Sequence, residues 1–340
     1  MENILVLTNA DETGSALTRA SLEAVTAGID LAARLSAPLS IGVIARDASA
    51  ANSLAATGAK LFVVSGVGLA QPRYATDAAA CEALCRAANA SIVLIPAGAR
   101  FSRVAAGVAH RLGGVIDTHI TALSGEEKIE ATRWFYRQRV EAVIMRTTRP
   151  WVVVLDAGTH AAYEGAAGTA SVEQVAVELP ATRTTVTGIH APKQDEQTIR
   201  PDARMLFVAG AGWTKKQPDG QVHTAEAAER IRGFLRATGA SLGSSKSLVD
   251  QGGEGQSVLP FLTHMNQIGQ TGATPRHAKG LSTCCHGEEP HVVGWRFIGD
   301  RRAISLDPNC GWTRGKADVV YVADAFAVIA KLNEMLGAKG

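Results

Sequence analysis

The feature that most constrains the fold is a repeated alternation between short apolar runs and helix-like segments in the first third of the chain. Apolar runs of strand length lie at residues 4–7, 39–44, 60–64 and 91–95. Segments with apolar residues at three- and four-residue spacing lie at residues 15–35, 48–56, 76–88 and 101–112. Strands that alternate with helices form parallel sheets covered by helices on both faces. The sequence therefore predicts an α/β fold built on a parallel sheet.

The pattern changes after residue 112 and begins again near residue 205. Four strand-like segments, at residues 115–123, 127–136, 141–146 and 152–155, extend or complete the first sheet. The predicted elements of a second α/β unit are a strand at 205–210, a helix at 225–238, a strand and turn at 243–249, and strands at 303–306 and 319–322. A final amphipathic helix has its apolar positions at Ala325, Val328, Ile329, Leu332, Met335 and Leu336. We expect an N-terminal domain over residues 1–183, a polar linker over 184–204 and a second domain over 205–340.

Charge and apolar run length exclude two classes of function. The chain has 34 Lys and Arg against 32 Asp and Glu, a formal net charge of +2, which argues against a nucleic-acid-binding surface. No apolar run approaches the roughly 20 residues of a membrane-spanning helix, so membrane insertion is not expected. The N-terminus enters a strand directly and lacks the features of a signal or transit peptide. Together with an odd number of cysteines, five, this predicts a cytoplasmic protein with free thiols.

Two glycine-containing segments of the second half are candidate ligand loops. Residues 205–212 combine a strand with Gly210 and Gly212, the shape of a phosphate-binding turn, but a third glycine is absent, and a plain strand-to-helix turn is the favoured alternative. Residues 267–272, Gln-Ile-Gly-Gln-Thr-Gly, form either a surface turn or a loop whose N–H groups and hydroxyl hold a planar heterocycle.

The cysteines do not predict a metal centre. The run from Cys284 to His291 contains two thiols, two imidazoles and two carboxylates, but it lacks a Cys-x-x-Cys pair. Adjacent cysteines seldom both bind one tetrahedral ion, so no metal is expected there. Cys81 and Cys85 are one helical turn apart and are predicted to be core residues.

Several motifs of the second half occur together in a characteristic order. They are Gly243-Ser244-Ser245-Lys246, Ile268-Gly269-Gln270-Thr271-Gly272, His286-Gly287-Glu288-Glu289-Pro290-His291, Ile304-Ser305 and Val322-Ala323-Asp324-Ala325-Phe326. In this order they resemble the α subunit of the electron-transfer flavoproteins, whose corresponding motifs are Gly-Ala-Ser-Arg, Val-Gly-Gln-Thr-Gly, Ser-Gly-Ala-x-Gln-His, a strand-ending Asn and Val-Ala-Asp-Leu-Phe. The first half also resembles that family's N-terminal domain, so the resemblance covers nearly the whole chain.

The sequence departs from the family pattern at four positions. The family turn Gly-Gly-Arg-Gly is here Gly210-Ala211-Gly212-Trp213, so the phosphate-contacting Arg is missing, and Lys215 or Lys216 is a possible substitute for its charge. The flavin-facing Arg is replaced by Lys246, which keeps the charge but not the planar fork. The family's Ser and Asn are His286 and Ser305. These changes suggest a partner other than the general acyl-CoA dehydrogenases.

The resemblance implies a doubly wound, flavodoxin- or Rossmann-like second domain that binds FAD. By resemblance, Lys246 and His291 stabilise the electron-rich edge of the flavin, and Thr271 hydrogen-bonds its N5 atom. Backbone N–H groups of residues 268–271 and of Gly287 hold the ring or the diphosphate, while Ser245 and Asp324 contact the phosphate and ribose side. The remaining implied cofactor contacts are His286 and Ser305, and the full candidate set is Ser245, Lys246, Ile268, Gly269, Gln270, Thr271, His286, Gly287, His291, Ser305 and Asp324. For Asp324 and Thr271 the alternative is a capping role in the local backbone.

The function implied by the resemblance is that of a redox carrier rather than an enzyme with its own small substrate. Such an α subunit pairs with an electron-transfer flavoprotein β subunit. It carries electrons from a flavin dehydrogenase or demethylase to a downstream quinone oxidoreductase. The alternative is a flavin-poor assembly subunit of a larger dehydrogenase complex. A free-standing dinucleotide-dependent oxidoreductase is disfavoured because no Gly-x-Gly-x-x-Gly with a later acidic residue occurs.

Overall fold

The computed structural model describes residues 2–11, 13–135, 140–188, 199–200, 203–256, 258–268, 274–283, 298–310, 313 and 317–337. The chain divides into two compact units, Met1–His190 and Ala191–Gly340, which we call the first and second units. Among the described residues, no helix is long and apolar enough to cross a membrane.

The first unit is built around a nine-stranded sheet in the described part of the chain. Its elements are β1 (Ile4–Asn9), α1 (Arg19–Leu35), β2 (Leu39–Ala45), β3 (Lys60–Ser65), α2 (Tyr74–Ala87), β4 (Ile92–Pro96), α3 (Ala105–Arg111), β5 (Val115–Ser124), β6 (Glu130–Phe135), β7 (Val140–Ile144), β8 (Trp151–Leu155) and β9 (Val172–Gln174). The strand order is β7-β6-β5-β8-β4-β1-β2-β3-β9. All neighbours are parallel except the hairpin of β6 and β7, which is antiparallel and also pairs antiparallel to β5.

The central strands carry apolar residues on both faces because the sheet is covered on both sides. Every residue of β4 and β8 is buried, as expected for inner strands of a parallel sheet. One core packs around Val6 and α1, and the other packs around Leu5, α2 and α3. Cys81 and Cys85 lie in the second core as free, buried thiols, as the sequence predicts. The predicted strands between residues 115 and 155 are confirmed and form one side of this sheet, whereas β9, at the opposite edge, was not predicted.

The second unit contains a five-stranded parallel sheet among its described residues. Its elements are β10 (Met205–Ala209), α4 (Thr224–Thr238), β11 (Ser241–Ser244), α5 (Lys246–Asp250), β12 (His277–Thr283), β13 (Ile298–Ser305), β14 (Val319–Val322) and α6 (Ala325–Gly337). The order is β11-β10-β12-β13-β14, so the chain first moves one way from β10 and then crosses to its other side. Together with the first unit, this confirms the predicted α/β fold class with two parallel sheets.

Several elements differ from the sequence prediction. The strand β12 was not predicted, and β13 begins five residues before the predicted start at residue 303. In α6 the buried face contains Phe326 beside Ala325 and Ile329, whereas Met335, predicted to lie on that face, is exposed. In the first unit, α1 starts at Arg19 because the side chain of Thr18 accepts a hydrogen bond from the N–H of Ser21 and caps the helix.

The predicted linker includes residues that contact the second unit. The N–H of Arg200 donates to Oγ of Ser241 at 2.7 Å, and its guanidinium donates to the carbonyl of Gly239 at 2.6 Å. Its carbonyl lies 2.9 Å from Nε2 of His277 at the start of β12. These contacts fix the chain at residue 200 to the amino edge of the second sheet.

Candidate functional site

The candidate site lies at the carboxyl edge of the second sheet. The order in which the parallel strands are added reverses between β10 and β12, and ligands of open α/β sheets bind outside the carboxyl ends of strands at such a point. All the predicted cofactor residues that the structure describes lie at this edge. Ser245 and Lys246 follow β11, Ser305 ends β13, and Asp324 lies two residues after β14.

A small cleft opens at this edge. It is lined by Gly212, Gln217, Ile304, Ser305, Leu306, Ala323, Asp324 and Ala325. One wall is the turn after β10, and the other is formed by the end of β13 and the start of α6. The structure therefore brings two predicted residues, Ser305 and Asp324, into one cavity.

Asp324 has one carboxylate oxygen committed to the backbone. Oδ1 accepts a hydrogen bond of 3.0 Å from the N–H of Phe326, which is one of the unpaired donors in the first turn of α6. The capping role considered from the sequence is therefore present. In the described part of the chain, Oδ2 has no hydrogen-bond donor, so Asp324 can cap its helix and bind a ligand in the cleft at the same time.

Ser305 is buried, and its hydroxyl closes a local turn. Oγ donates to the carbonyl of Asp307 at 3.1 Å and accepts from the N–H of Asp307 at 3.2 Å. This serine turn fixes how the chain leaves β13. Its hydroxyl thus shapes the floor of the cleft through the backbone.

Ser245 and Lys246 begin the short helix α5. Oγ of Ser245 accepts from the N–H of Leu248 at 3.3 Å as an N-cap. The ammonium of Lys246 lies 3.5 Å from Oδ2 of Asp250, and Oδ1 of the same carboxylate lies 3.6 Å from Nδ1 of His264. The Lys246 side chain is 52% exposed, so the ion pair adds little stability. Asp250 nevertheless offsets part of the positive charge that Lys246 presents at this edge.

Ile268 places the start of the Gly-Gln-Thr-Gly loop at the end of β11. Its N–H donates to the carbonyl of Ser244 at 3.1 Å, and its side chain packs over Gly243. A Cβ on Gly243 would lie 2.5 Å from Cδ1 of Ile268, so any larger residue here would force the Ile268 side chain to move. The loop that follows therefore begins at the carboxyl edge, beside Ser245.

Six of the predicted cofactor contacts lie outside the described residues: Gly269, Gln270, Thr271, His286, Gly287 and His291. The cysteine and histidine run at residues 284–291 lies outside them as well. The first segment follows Ile268 directly, and the second follows Thr283, the last residue of β12. Both segments therefore leave the described structure from the carboxyl edge.

The turn after β10 differs from the phosphate-binding turn considered from the sequence. Residues 211–214 form a buried single turn of 3₁₀ helix, and an isolated bridge between Lys216 and Val222 precedes α4. The N-terminus of α4 therefore does not follow the glycines directly. Neither Lys215 nor Lys216 lines the cleft. Gln217 does, and its amide nitrogen donates to the carbonyls of Gly212 at 3.1 Å and Lys215 at 2.8 Å.

Trp213 joins the elements beneath the cleft and was not identified from the sequence. It is fully buried, and its indole N–H donates to Oγ1 of Thr283 at 2.8 Å. Its ring packs 4.5 Å from the ring of Phe326, measured between centroids. Thr283 in turn donates to the carbonyl of Val208 at 3.0 Å. A lone Trp after a glycine pair could have signalled a buried anchor, but only the fold shows what it contacts.

Comparison with known families adds an independent finding. Residues 6–180 match the family model of the electron transfer flavoprotein domain, which is slightly more than half of the chain. The chain belongs to the electron transfer flavoprotein family. The family resemblance of the sequence is thereby confirmed. No curated protein matches the chain.

The electron transfer flavoprotein domain falls within the first unit, whereas every candidate cofactor residue lies in the second. Members of this family are flavin-associated electron-transfer proteins that work with a partner subunit and with dehydrogenases. The match thus establishes the family to which the chain belongs. The contacts at the carboxyl edge of the second sheet provide the separate basis for assigning a ligand.

Proposed function

We propose that this electron transfer flavoprotein chain is the FAD-binding α subunit of a heterodimer that carries electrons between partner proteins. The observation that supports the proposal best is the cleft at the carboxyl edge of the second sheet, with Asp324 at its wall. The described part of this cleft is far smaller than the roughly 300–1,000 Å³ of sites that enclose whole drug-sized ligands. The cleft therefore marks one contact point on this edge, and FAD would lie along the edge rather than inside the cleft.

The described residues fit the sugar end of FAD by their chemistry. Oδ2 of Asp324, which has no hydrogen-bond donor among the described residues, can accept hydrogen bonds from the ribose hydroxyls, as acidic residues do in many dinucleotide sites. Ser245 and Lys246, beside the loop that begins after Ile268, supply a capped helix start and a positive charge. Bound FAD would supply the reversible uptake of electrons, which the protein tunes through nearby charges. The role of this chain is to bind and orient the cofactor and to set the charge around it.

A partner subunit is part of the same proposal. The hairpin β6–β7 at the edge of the first sheet exposes Trp134, Val140 and Val143, with 37%, 47% and 57% of their surfaces accessible. Met145, just after the hairpin, is 59% exposed. Apolar side chains gathered at a sheet edge are typical of a surface that another protein covers. We propose that the exposed surface of this hairpin contacts the electron-transfer flavoprotein β subunit. A flavin dehydrogenase or demethylase would then donate electrons, and a quinone oxidoreductase would accept them.

The proposal is tested by co-expressing the chain with an electron-transfer flavoprotein β subunit and measuring the flavin. The purified heterodimer should be yellow, and acid release should yield FAD. Asp324→Ala should lower FAD occupancy at least tenfold at micromolar FAD because it removes a charged acceptor. Asp318→Ala is the matched control, because Asp318 pairs with Arg301 outside the residues that line the cleft. A colourless wild-type heterodimer that takes up no FAD would contradict the proposal.

The assembly-subunit alternative has one structural observation in its favour. The turn after β10 contributes no cation to the cleft, because Gly212 stands where the family has Arg and Gln217 folds back onto the Gly212 carbonyl. If the chain is an assembly subunit, the protein would purify without flavin and would still be required for assembly of a dehydrogenase complex. The visible spectrum of the heterodimer separates the two functions.

A further inference from the structure

The side chain of His277, at the start of β12, lies between two backbone carbonyl groups. It is buried, with 2% of its surface exposed. Its Nδ1 atom lies 3.0 Å from the carbonyl oxygen of Pro275, and its Nε2 atom lies 2.9 Å from the carbonyl oxygen of Arg200. Both distances are those of normal hydrogen bonds, and a carbonyl oxygen can only accept. Each ring nitrogen therefore faces an atom that needs a donor.

Only the charged form of the His277 ring can donate at both positions. A neutral imidazole carries one N–H group, and its other nitrogen is an acceptor. Whichever nitrogen lacks the hydrogen would place its lone pair against a buried carbonyl oxygen and leave that oxygen unsatisfied. The imidazolium has two N–H groups and satisfies both oxygens. The geometry thus favours a proton on each ring nitrogen.

The backbone around the ring fixes the positions of the two oxygens. The N–H of Arg200 donates to Oγ of Ser241, and its guanidinium donates to the carbonyl of Gly239. Pro275 lies two residues before the first residue of β12, and the pairing of β12 with β13 begins at His277. Because these contacts hold both chain segments, neither oxygen can turn away from the ring without breaking other hydrogen bonds.

Burial and neighbouring charges act against a positive charge on this ring. Transfer of a charge from water to the interior is unfavourable, and like charges nearby add to that cost. The described segments beside the ring are residues 199–200, 203–204 and 274–276, together with β10, β12 and β13. Asp300 is the one acidic residue in these segments, and the basic ones are Arg200, Arg204, Arg276, Lys279, Arg301 and Arg302. Because these effects oppose the two carbonyl oxygens, we expect the ring to lose its proton within the range of about pH 5–8 in which histidine side chains change charge.

We propose that His277 is a proton-dependent anchor that holds the chain at residue 200 against β12. With a proton on each ring nitrogen, the ring donates to both carbonyls. When the ring releases one proton to solvent, one hydrogen bond is lost and the hold on Arg200 weakens. The anchor is therefore complete at acidic pH and weakens as the pH rises. Because Arg200 lies in the predicted linker, pH controls how firmly that segment is joined to the second unit. No cofactor contact is involved, so the inference goes beyond the proposed function and does not depend on it.

The first experiment observes the ring of the wild-type protein directly. The full-length chain is labelled with ¹⁵N-histidine, and the His277 signals are identified by their loss in His277→Gln. In the nuclear magnetic resonance spectrum, the two ring nitrogens have similar shifts when both carry a proton and widely different shifts in a neutral ring. They should be similar at about pH 5.5 and different at about pH 8.5. A neutral ring at the lower pH, or a charged ring at the higher one, would overturn the inference.

The second experiment measures the anchor itself by hydrogen exchange of the Arg200 amide, corrected for the intrinsic dependence of exchange on pH. In the wild type, protection should fall at least about fivefold between these two pH values, because a hydrogen bond to a charged group is lost nearby. In His277→Gln, whose carboxamide does not change charge, protection should change less than about twofold. The control His110→Gln replaces an exposed histidine of α3 and should keep the wild-type response.

The remaining outcomes also decide the question. Constant protection in the wild type, or an equal fall in His277→Gln, would overturn the inference, because the state of the ring would then not control the anchor. If His277→Gln does not fold, the remaining histidine signals are assigned by other His→Gln variants such as His110→Gln. The ring titration of the wild type then decides alone.

Discussion

Two adjacent serines at the end of β11 should respond to the same substitution with opposite changes in stability. The hydroxyl of Ser244 is buried and has no hydrogen-bond partner in the described part of the chain. The hydroxyl of Ser245 accepts from the N–H of Leu248 and caps α5. Replacing either residue by Ala removes a single oxygen atom, so the two variants differ mainly in whether that oxygen has a partner.

The expected magnitudes follow from the two environments. Loss of an N-cap costs about 1 kcal/mol of stability, so Ser245→Ala should lower the free energy of unfolding of the second unit by that amount. An unsatisfied buried polar group costs roughly 1–3 kcal/mol, and relief of part of this cost should make Ser244→Ala more stable by about 1 kcal/mol. For a unit of this size each kcal/mol shifts the midpoint of thermal unfolding by roughly 2–4 °C.

Differential scanning calorimetry of the full chain measures these shifts, and Ser245→Asn is the control because Asn caps helices as well as Ser does. Ser245→Asn should unfold at the wild-type temperature. If Ser244→Ala is destabilised as much as Ser245→Ala, the Ser244 hydroxyl has a partner and the reasoning is wrong. Normal stability of Ser245→Asn together with lost FAD binding would show that the serine hydroxyl also contacts the ligand.

Three further predictions concern other parts of the molecule. Val143→Asp should weaken binding to the β subunit at least tenfold, measured by analytical ultracentrifugation, whereas Val67→Asp, a control at a position 79% exposed, should not. With FAD bound, Lys246→Ala should lower the reduction potential by about 59 mV if it removes roughly 1.4 kcal/mol of charge stabilisation in a one-electron step. Asp250→Asn should raise the potential in the same spectroelectrochemical titration, and equal potentials in both variants would place the pair away from the cofactor. Burial raises the pKa of the Cys85 thiol from 9.0 to about 12. This pKa is higher in the folded state, so its contribution to stability is complete below pH 9 and is lost as the pH rises toward 12; Cys85→Ala should reduce that alkaline loss in urea titrations.

The sequence predicted most of the first unit because its strands are apolar and its helices are periodic. β4, for example, is buried along its whole length and is apolar throughout. β12 shows why the same reasoning failed in the second unit. Its buried positions include His277, Gly280 and Ser282, which give no apolar alternation. The apolar contact at Gly280 comes from the neighbouring strand, where Ile298 occupies the space that a Cβ would need.

The candidate site was predicted in position better than in detail. The motif resemblance placed Ser305 and Asp324 at a shared site, and the fold brings both into one cleft. Sequence spacing could not show that the Ser305 hydroxyl closes its own turn. It also could not show that the helix α6 uses only one carboxylate oxygen of Asp324, a residue that lines the cleft. Such assignments depend on backbone geometry within two or three residues, which the motif pattern does not specify.

The change at the turn after β10 has a consequence for how a diphosphate can be held. Trp213 is buried between Thr283 and Phe326, so it draws the turn into the core. The carbonyl of Gly212 is then satisfied by Gln217, and the two lysines that follow do not line the cleft. A cation at this wall, as the family turn provides, is therefore replaced by an uncharged surface beside a carboxylate. If FAD binds at this edge, the charge of its diphosphate has to be met away from this wall, and Lys246 after β11 is a described cation at the same edge.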